Sequence, residues 1–140
     1  MNRKIPVVYA DFNGIRISRQ TNNSHVVPLD TYGTLKGLTN QKIRLKEGME
    51  LVIYMDSADD EDLEAKSIVH FDPSNQFWVA EINKDDILYV PGHQEWHQEE
   101  FLCFQCRKNL EPFFEKHGRN KQTCCPDCGF SIFYPISPPE

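Results

Sequence analysis

The sequence contains no apolar run that approaches the roughly 18 residues of a membrane-spanning helix. Its first residues hold a basic pair but no apolar stretch of adequate length before Asp11, so we expect no signal peptide. No phosphate-binding glycine loop, dinucleotide fingerprint or nucleophile elbow is present, and no catalytic triad can be recognised. Nothing in the sequence supports an enzyme, and we expect a non-catalytic protein.

The composition sets the size and the compartment that we expect. A length of 140 residues allows one ordinary domain, or a small domain with an appended module. Hydrophobic residues make up 39% of the chain, which predicts a folded core rather than disorder. The cysteine count of five is odd, and four of these cysteines have the spacing of metal ligands. This pattern favours a reducing compartment over a disulfide framework, so we expect a cytoplasmic protein.

The net charge of −6 is unevenly distributed. Residues 1–50 carry eight Lys/Arg and four Asp/Glu, residues 51–100 carry two and thirteen, and residues 101–140 carry five and four. The middle segment therefore has a net charge of −11. An acidic segment repels a phosphate backbone, whereas nucleic-acid binders usually show a basic stripe. The expected partner is therefore a protein, and the acidic run at 56–64 favours a basic partner surface.

Two Cys-x-x-Cys pairs, Cys103/Cys106 and Cys125/Cys128, are separated by eighteen residues. Each pair can form a tight turn with both sulfurs on one side, and the chain between them can bring the pairs together. Zinc prefers four soft ligands in a tetrahedron at about 2.3 Å, and closed four-cysteine sites are usually structural. We therefore predict a structural Zn²⁺ bound by these four cysteines. Iron in a similar site, a redox site and a pair of disulfides are the alternatives.

Residues 101–137 resemble the zinc-ribbon family. The second pair matches best, because Pro126 and Gly129 shape the turn and Gly129 can take the positive φ that such a knuckle needs. The first pair departs from the pattern, because Arg107 stands where many ribbons have glycine. The resemblance implies a small module that depends on its metal for part of its folding free energy.

Three further residues are weaker candidates for metal binding. Cys124 could replace Cys125 as a ligand, but the spacing would become Cys-x-x-x-Cys, so we interpret it as a spare thiol. His93 and His97 would share one face of a helix, as metal ligands do. Their order is not the His-Glu-x-x-His of zinc proteases, and no third ligand can be named. We interpret both as incidental histidines of a polar linker.

Short apolar runs bounded by turn residues fill the first two thirds of the chain, with Asn13-Gly14 as a hairpin signal. Five or six such strands predict a small β-barrel, closed or partly open. In 43–90 a glycine turn precedes a strand, a long polar loop follows, and a one-turn element precedes the last strand. This order resembles SH3-like or Tudor-like barrels, and the segment is also similar to small bacterial proteins without an assigned function. Gly33 and Gly37 argue against more than one helical turn at 30–38.

The predicted architecture is mainly β: a small SH3-like β-barrel at 3–90, a linker at 91–100 and a zinc ribbon at 101–137. Within the ribbon, Phe113 and Phe114 are expected in a middle strand and residues 130–136 in a closing strand. Four aromatic residues of the barrel could line a groove for a peptide, although core packing explains them more simply. They are Tyr54, Phe77, Trp78 and Tyr89.

These features predict a non-catalytic, zinc-binding interaction or adaptor protein whose partner is a protein. The alternative is a nucleic-acid-binding accessory factor whose ribbon cations contact phosphates. Those cations are Arg107, Lys108, Lys116, Arg119 and Lys121. A more distant alternative is a zinc hydrolase that uses His93 and His97, which would need a second zinc ion per chain.

Overall fold

A computed structural model describes residues 5–12, 16–17, 24–56, 61–91, 100–118 and 123–139. Within these ranges the chain forms one mixed β-sheet, two α-helices and a C-terminal segment that contains the cysteines. The strands are β1 (Val7–Tyr9), β2 (Arg16–Ile17), β3 (Ser24–Pro28), β4 (Glu50–Asp56), β5 (Glu61–Asp72), β6 (Phe77–Asn83) and β7 (Leu88–Pro91).

The sheet is open and is organised around β5, its longest strand with twelve residues. The strand order is β1-β4-β5-β6-β3-β2, and β7 also pairs with β5. Only the β1–β4 pairing is parallel among the described strands. Along one side β5 pairs with β4, and along the other with β6 and then β7.

The sequence predicts a small barrel, closed or partly open, and the described sheet is not a closed barrel, because its pairings run from β1 at one edge to β2 at the other without joining them. β1 adds to the sheet in parallel beside β4, whereas β2 pairs with β3. The predicted Asn13-Gly14 turn lies outside the described residues. An SH3-like arrangement is not found in this sheet order.

Helix α1 (Tyr32–Asn40) has nine residues, so the prediction of a single turn is wrong. Its glycines allow close packing on β1. A Cβ atom at Gly33 would lie 2.7 Å from the ring of Tyr9, and one at Gly37 would lie 3.5 Å from Val8. The Thr34 hydroxyl also donates to the carbonyl of Tyr9 (2.7 Å). The gain in packing therefore offsets the low helix propensity of glycine.

The main core is built from inward-facing side chains of the strands and of residues that follow β1 and β3, together with Leu38 of α1 and Leu45. Burial alternates from Ala65 to Val69 of β5, as expected for a strand with one buried face. Trp78 is buried edge-on against Phe71, with ring centroids 5.3 Å apart. Core packing is thus confirmed for Trp78 and for the buried Tyr54, but it is wrong for Tyr89, which is 68% exposed.

The C-terminal segment, residues 100–118 and 123–139, is called here the cysteine segment. It contains α2 (Glu111–His117) and a 3-10 turn (Tyr134–Ile136). Phe113 and Phe114 lie in α2, where Pro112 suits the first turn of a helix, so the predicted middle strand is wrong. The predicted closing strand is reduced to a bridge at Ser131 before the 3-10 turn.

Candidate metal centre

The two Cys-x-x-Cys motifs fold into the same turn, here called a knuckle. In the first knuckle the N–H of Cys103 donates to the carbonyl of Lys108 (2.8 Å), and the N–H of Arg107 donates to the carbonyl of Cys103 (3.2 Å). Each knuckle is closed by an isolated antiparallel bridge. The second knuckle repeats both hydrogen bonds at 2.9 Å through Cys125, Gly129 and Phe130.

The knuckles bring the four predicted sulfurs together. All four Sγ atoms lie within 4.8 Å of one another. The Sγ atoms of Cys103 and Cys128 are 3.5 Å apart, and those of Cys106 and Cys125 are 3.6 Å apart. A regular tetrahedron with metal–sulfur bonds of about 2.3 Å has sulfur–sulfur edges of about 3.8 Å. The four sulfurs therefore fit an ion of the size of Zn²⁺, and all are free thiols rather than disulfides.

The charge state of these thiols favours a cation at their centre. Burial raises the pKa of the Cys103 thiol, but hydrogen bonds from the backbone N–H groups of Cys106 and Gln105 and from neighbouring thiols lower it to about 7. The backbone N–H of Lys108 lowers the pKa of Cys106, yet desolvation and the other three thiols raise it to about 12. The negative charge of one thiolate thus raises the pKa of a neighbouring thiol. A divalent cation among the four sulfurs would neutralise this charge and favour ionisation of the remaining thiols.

Arg107 connects the first knuckle to α1. Its φ of 65° is left-handed, like the 75° of Gly129 at the equivalent position. The guanidinium donates to the carbonyls of Thr39 (3.3 Å) and Asn40 (2.9 Å), which end α1. A cation that binds the last carbonyls of a helix stabilises its C-terminus. This interaction is the physical reason for an arginine where a glycine was expected.

The side chain of Asn40 adds a second connection. Its Nδ2 donates to the carbonyl of Glu100 (2.7 Å), and its Oδ1 accepts from the N–H of Leu102 (2.9 Å). Glu111 of α2 binds the same stretch of chain, because its Oε1 accepts a hydrogen bond from the N–H of Phe101 (3.2 Å). The chain entering the first knuckle is therefore held by side chains from both helices. The contacts of Asn40 could not be predicted, because they connect residues 60 and 62 positions apart and no local pattern in the sequence marks them.

A second core lies between the cysteine segment and α1. The rings of Tyr32, Phe101 and Phe114 form a cluster with centroid distances of 5.0–5.6 Å. Cys103 and Cys125, each 2% exposed, belong to the same buried group. The sulfur cluster therefore lies beside a small apolar core, with Cys106 and Cys128 on its exposed side.

The last residues of the cysteine segment return to the sheet. The Arg44 guanidinium donates to the carbonyls of Ser137 (3.1 Å) and Pro138 (3.2 Å). Trp78 Nε1 also donates to the carbonyl of Ser137 (3.0 Å), and Arg44 lies over the ring of Tyr134 at 5.1 Å. These carbonyls bind side chains of the sheet region instead of pairing in a closing strand.

The other predicted site residues are distributed as follows. Cys124 is exposed and does not belong to the four-sulfur cluster, whereas Cys125 does. His93 and His97 lie outside the described residues. Among the cations of the nucleic-acid alternative, Arg107 binds α1 and Lys108 pairs with Asp127 (3.0 Å). Lys116 is exposed in α2, and Arg119 and Lys121 are outside the described ranges.

In the part of the chain that the structure describes, no helix has the length and apolar character needed to cross a membrane. The four-sulfur cluster is the group of potential metal ligands found in that part. Comparisons with known proteins gave no match, since no family model, no curated protein and no solved structure matches this chain.

Proposed function

We propose that the chain is a non-catalytic interaction protein in which the four cysteines hold a structural Zn²⁺. The convergence of four thiols at tetrahedral spacing carries this proposal. Four thiolate ligands leave no open coordination position for a reactive water, which supports a structural role over a hydrolytic one. Iron bound by the same ligands is the competing occupant.

Zinc would connect the two knuckles, because each of the close sulfur pairs, Cys103 with Cys128 and Cys106 with Cys125, has one sulfur from each knuckle. Since Arg107 and Asn40 connect the first knuckle to α1, the same ion would also fix the cysteine segment on the helix. The chemistry that Zn²⁺ supplies is charge neutralisation of the thiolates, and its binding free energy adds to folding. The product would be a rigid surface for a partner rather than a reaction centre.

The partner is proposed to be a protein with a basic surface, in the cytoplasm. The net charge of −11 in residues 51–100 supports this class of partner over nucleic acid. The use of Arg107 and Lys108 in contacts within the chain also leaves fewer cations for phosphates. Nucleic-acid binding would instead show affinity that falls steeply as the salt concentration rises.

Elemental analysis of the purified protein tests the metal centre. We expect one zinc per chain in the wild type, and loss of that zinc in Cys103→Ser and in Cys125→Ser. Cys124→Ser is the matched control, because its thiol is next to a ligand but outside the cluster. Visible absorption would reveal iron in place of zinc. Absence of metal in the wild type, or a second zinc that disappears in His97→Ala, would contradict the proposal.

A further inference from the structure

Strand β7 presents two large apolar side chains to solvent. Leu88 is 60% exposed and Tyr89 is 68% exposed, the highest values among the large hydrophobic residues described. Successive residues of a strand point to opposite faces, so these side chains lie on both faces of one strand. Neither contributes to a core.

The outer edge of β7 has no strand partner in the described part of the chain. β7 pairs with β5 on the same side as β6 does. Within the residues that the structure describes, β3 pairs with β6 only as far as Asn83 and no pairing of β3 with β7 is found. Pro91 has no N–H, so the hydrogen-bonded pairs with β5 fall at Leu88 and Val90. The backbone N–H and carbonyl of Tyr89 therefore point away from β5. An outward donor and acceptor on an edge strand can pair with another chain.

This edge has acidic residues at both ends. Asp85 and Asp86 are exposed and precede β7, from which Ile87 separates them, and the exposed Glu61 of β5 lies opposite Pro91 at the other end. In an antiparallel pairing of β7 with a second copy, Asp85 and Asp86 of one chain would lie toward the Glu61 end of the other, which like-charge repulsion disfavours. A segment rich in Lys or Arg would instead be complementary in charge.

We propose that β7 is the docking edge for an extended, basic segment of a partner protein, which adds to the sheet beside Tyr89. The backbone of Tyr89 would hydrogen-bond the segment. On one face Leu88 or Tyr89 would contact its apolar side chains, and on the other face the second of these two residues would contact the alkyl stems of its Lys or Arg side chains. Asp85, Asp86 and Glu61 would face its Lys or Arg side chains. The inference rests on the proposed interaction function and names the class of partner and the strand that binds it.

Fluorescence anisotropy with a labelled peptide of alternating valine and lysine tests the proposal on the zinc-loaded full chain. We expect saturable binding that weakens with salt, and no binding of a peptide of alternating valine and glutamate. Tyr89→Pro removes the outward N–H but keeps the bonded pairs at Leu88 and Val90, and edge strands tolerate proline. Loss of that hydrogen bond should weaken binding about tenfold.

Tyr89→Thr is the matched control, because it keeps the N–H and a good strand former while it removes the ring. It should weaken binding less than Tyr89→Pro. Both variants keep the charge of the chain, so equal binding by all three proteins would mean non-specific attraction and would overturn the proposal. Zinc content and the thermal midpoint must be unchanged in both variants. If the wild type contains zinc but does not bind the peptide, the β7 proposal is wrong and the metal centre is unaffected. If the wild type contains no zinc, the proposed metal centre is wrong.

Sedimentation velocity distinguishes the other occupant of this edge. A wild-type dimer that becomes monomeric in Tyr89→Pro would assign β7 to a second copy of the chain and would overturn the basic partner. A monomer at all concentrations, with peptide binding as described, supports the proposal.

Discussion

The sheet and the cysteine segment differ in the interactions that stabilise each of them. Among the described residues, the main core has fourteen buried side chains, supported by continuous backbone pairing across the sheet. The core of the cysteine segment has seven, of which two are cysteines and one, Leu35, belongs to α1. A core of that size buries too little apolar surface to fold alone. We therefore expect the sheet to be stable without metal, and the cysteine segment to depend on its proposed zinc and on α1.

Removal of zinc should give the largest difference between the two regions, because we expect it to unfold the cysteine segment and leave the sheet folded. Treatment with a chelator should expose the amides of residues 100–118 and 123–139 to hydrogen exchange, while β4, β5 and β6 stay protected. Zinc binding by small thiolate sites is worth about 10–16 kcal/mol in isolated zinc-finger peptides, so a large effect is expected. Hydrogen exchange followed by mass spectrometry measures it, and added Zn²⁺ should restore protection. Simultaneous loss of protection in β5 would show that the two regions unfold as one unit.

Truncation of one buried side chain in each region sharpens the comparison. Phe101 and Ile53 are both 0% exposed, the first in the cysteine segment and the second in β4. Phe101→Ala should cost about 3–5 kcal/mol and Ile53→Ala about 2–5 kcal/mol of stability. Only Phe101→Ala should also weaken zinc binding, because its core holds Cys103 and Cys125. Denaturant unfolding and a zinc competition assay measure both effects. Equal zinc affinity in the two variants would contradict the separate stabilisation of the regions.

The sulfur cluster was predictable because the Cys-x-x-Cys spacing fixes the turn locally and the metal chemistry fixes the number of ligands. The hydrogen bonds that shape each knuckle connect residues within six positions of each other. Short apolar runs bounded by turn residues likewise predicted strands in the regions of β4, β5 and β6, whose inward side chains share one core. These parts of the structure depend on neighbours in sequence, and the sequence shows such neighbours directly.

The parts that could not be predicted depend on distant residues. β1 pairs with β4 in parallel, and no pattern in the sequence of either strand predicts this pairing. The length of α1 depends on contacts of Gly33 and Gly37 with Tyr9 and Val8, so the local propensity pointed to a shorter helix. The left-handed Arg107 can be understood only from the carbonyls of α1, which it binds across 67 and 68 positions of the chain.

The two glycines of α1 test how the helix packs on the sheet. An alanine at Gly33 would place its Cβ 2.7 Å from the Tyr9 ring, whereas at Gly37 the nearest atom is 3.5 Å away, an ordinary contact. Gly33→Ala should cost about 1–3 kcal/mol through overpacking. Gly37→Ala, the matched control, should stabilise by about 0.5–1 kcal/mol because alanine is the better helix former. Thermal unfolding of both variants gives the signs, and stabilisation by both would contradict the close packing.

Substitution of Arg107 tests how the same helix is attached to the cysteine segment. Arg107→Ala and Arg107→Gly both remove the guanidinium from the carbonyls of Thr39 and Asn40. Arg107→Ala should cost about 1 kcal/mol through loss of this helix cap. Only glycine adopts the φ of 65° without strain, so Arg107→Gly should be more stable than Arg107→Ala by about 1 kcal/mol.

Denaturant unfolding of the zinc-loaded variants measures these differences, and the chelated forms are the control. Without zinc the cysteine segment is expected to unfold, so both the cap and the left-handed strain should disappear from the measurement. The two variants and the wild type should then have the same free energy of unfolding. A difference in the free energy of unfolding that persists after chelation would mean that Arg107 also stabilises the folded sheet without metal. In that case α1 and the first knuckle would stay attached in the absence of metal.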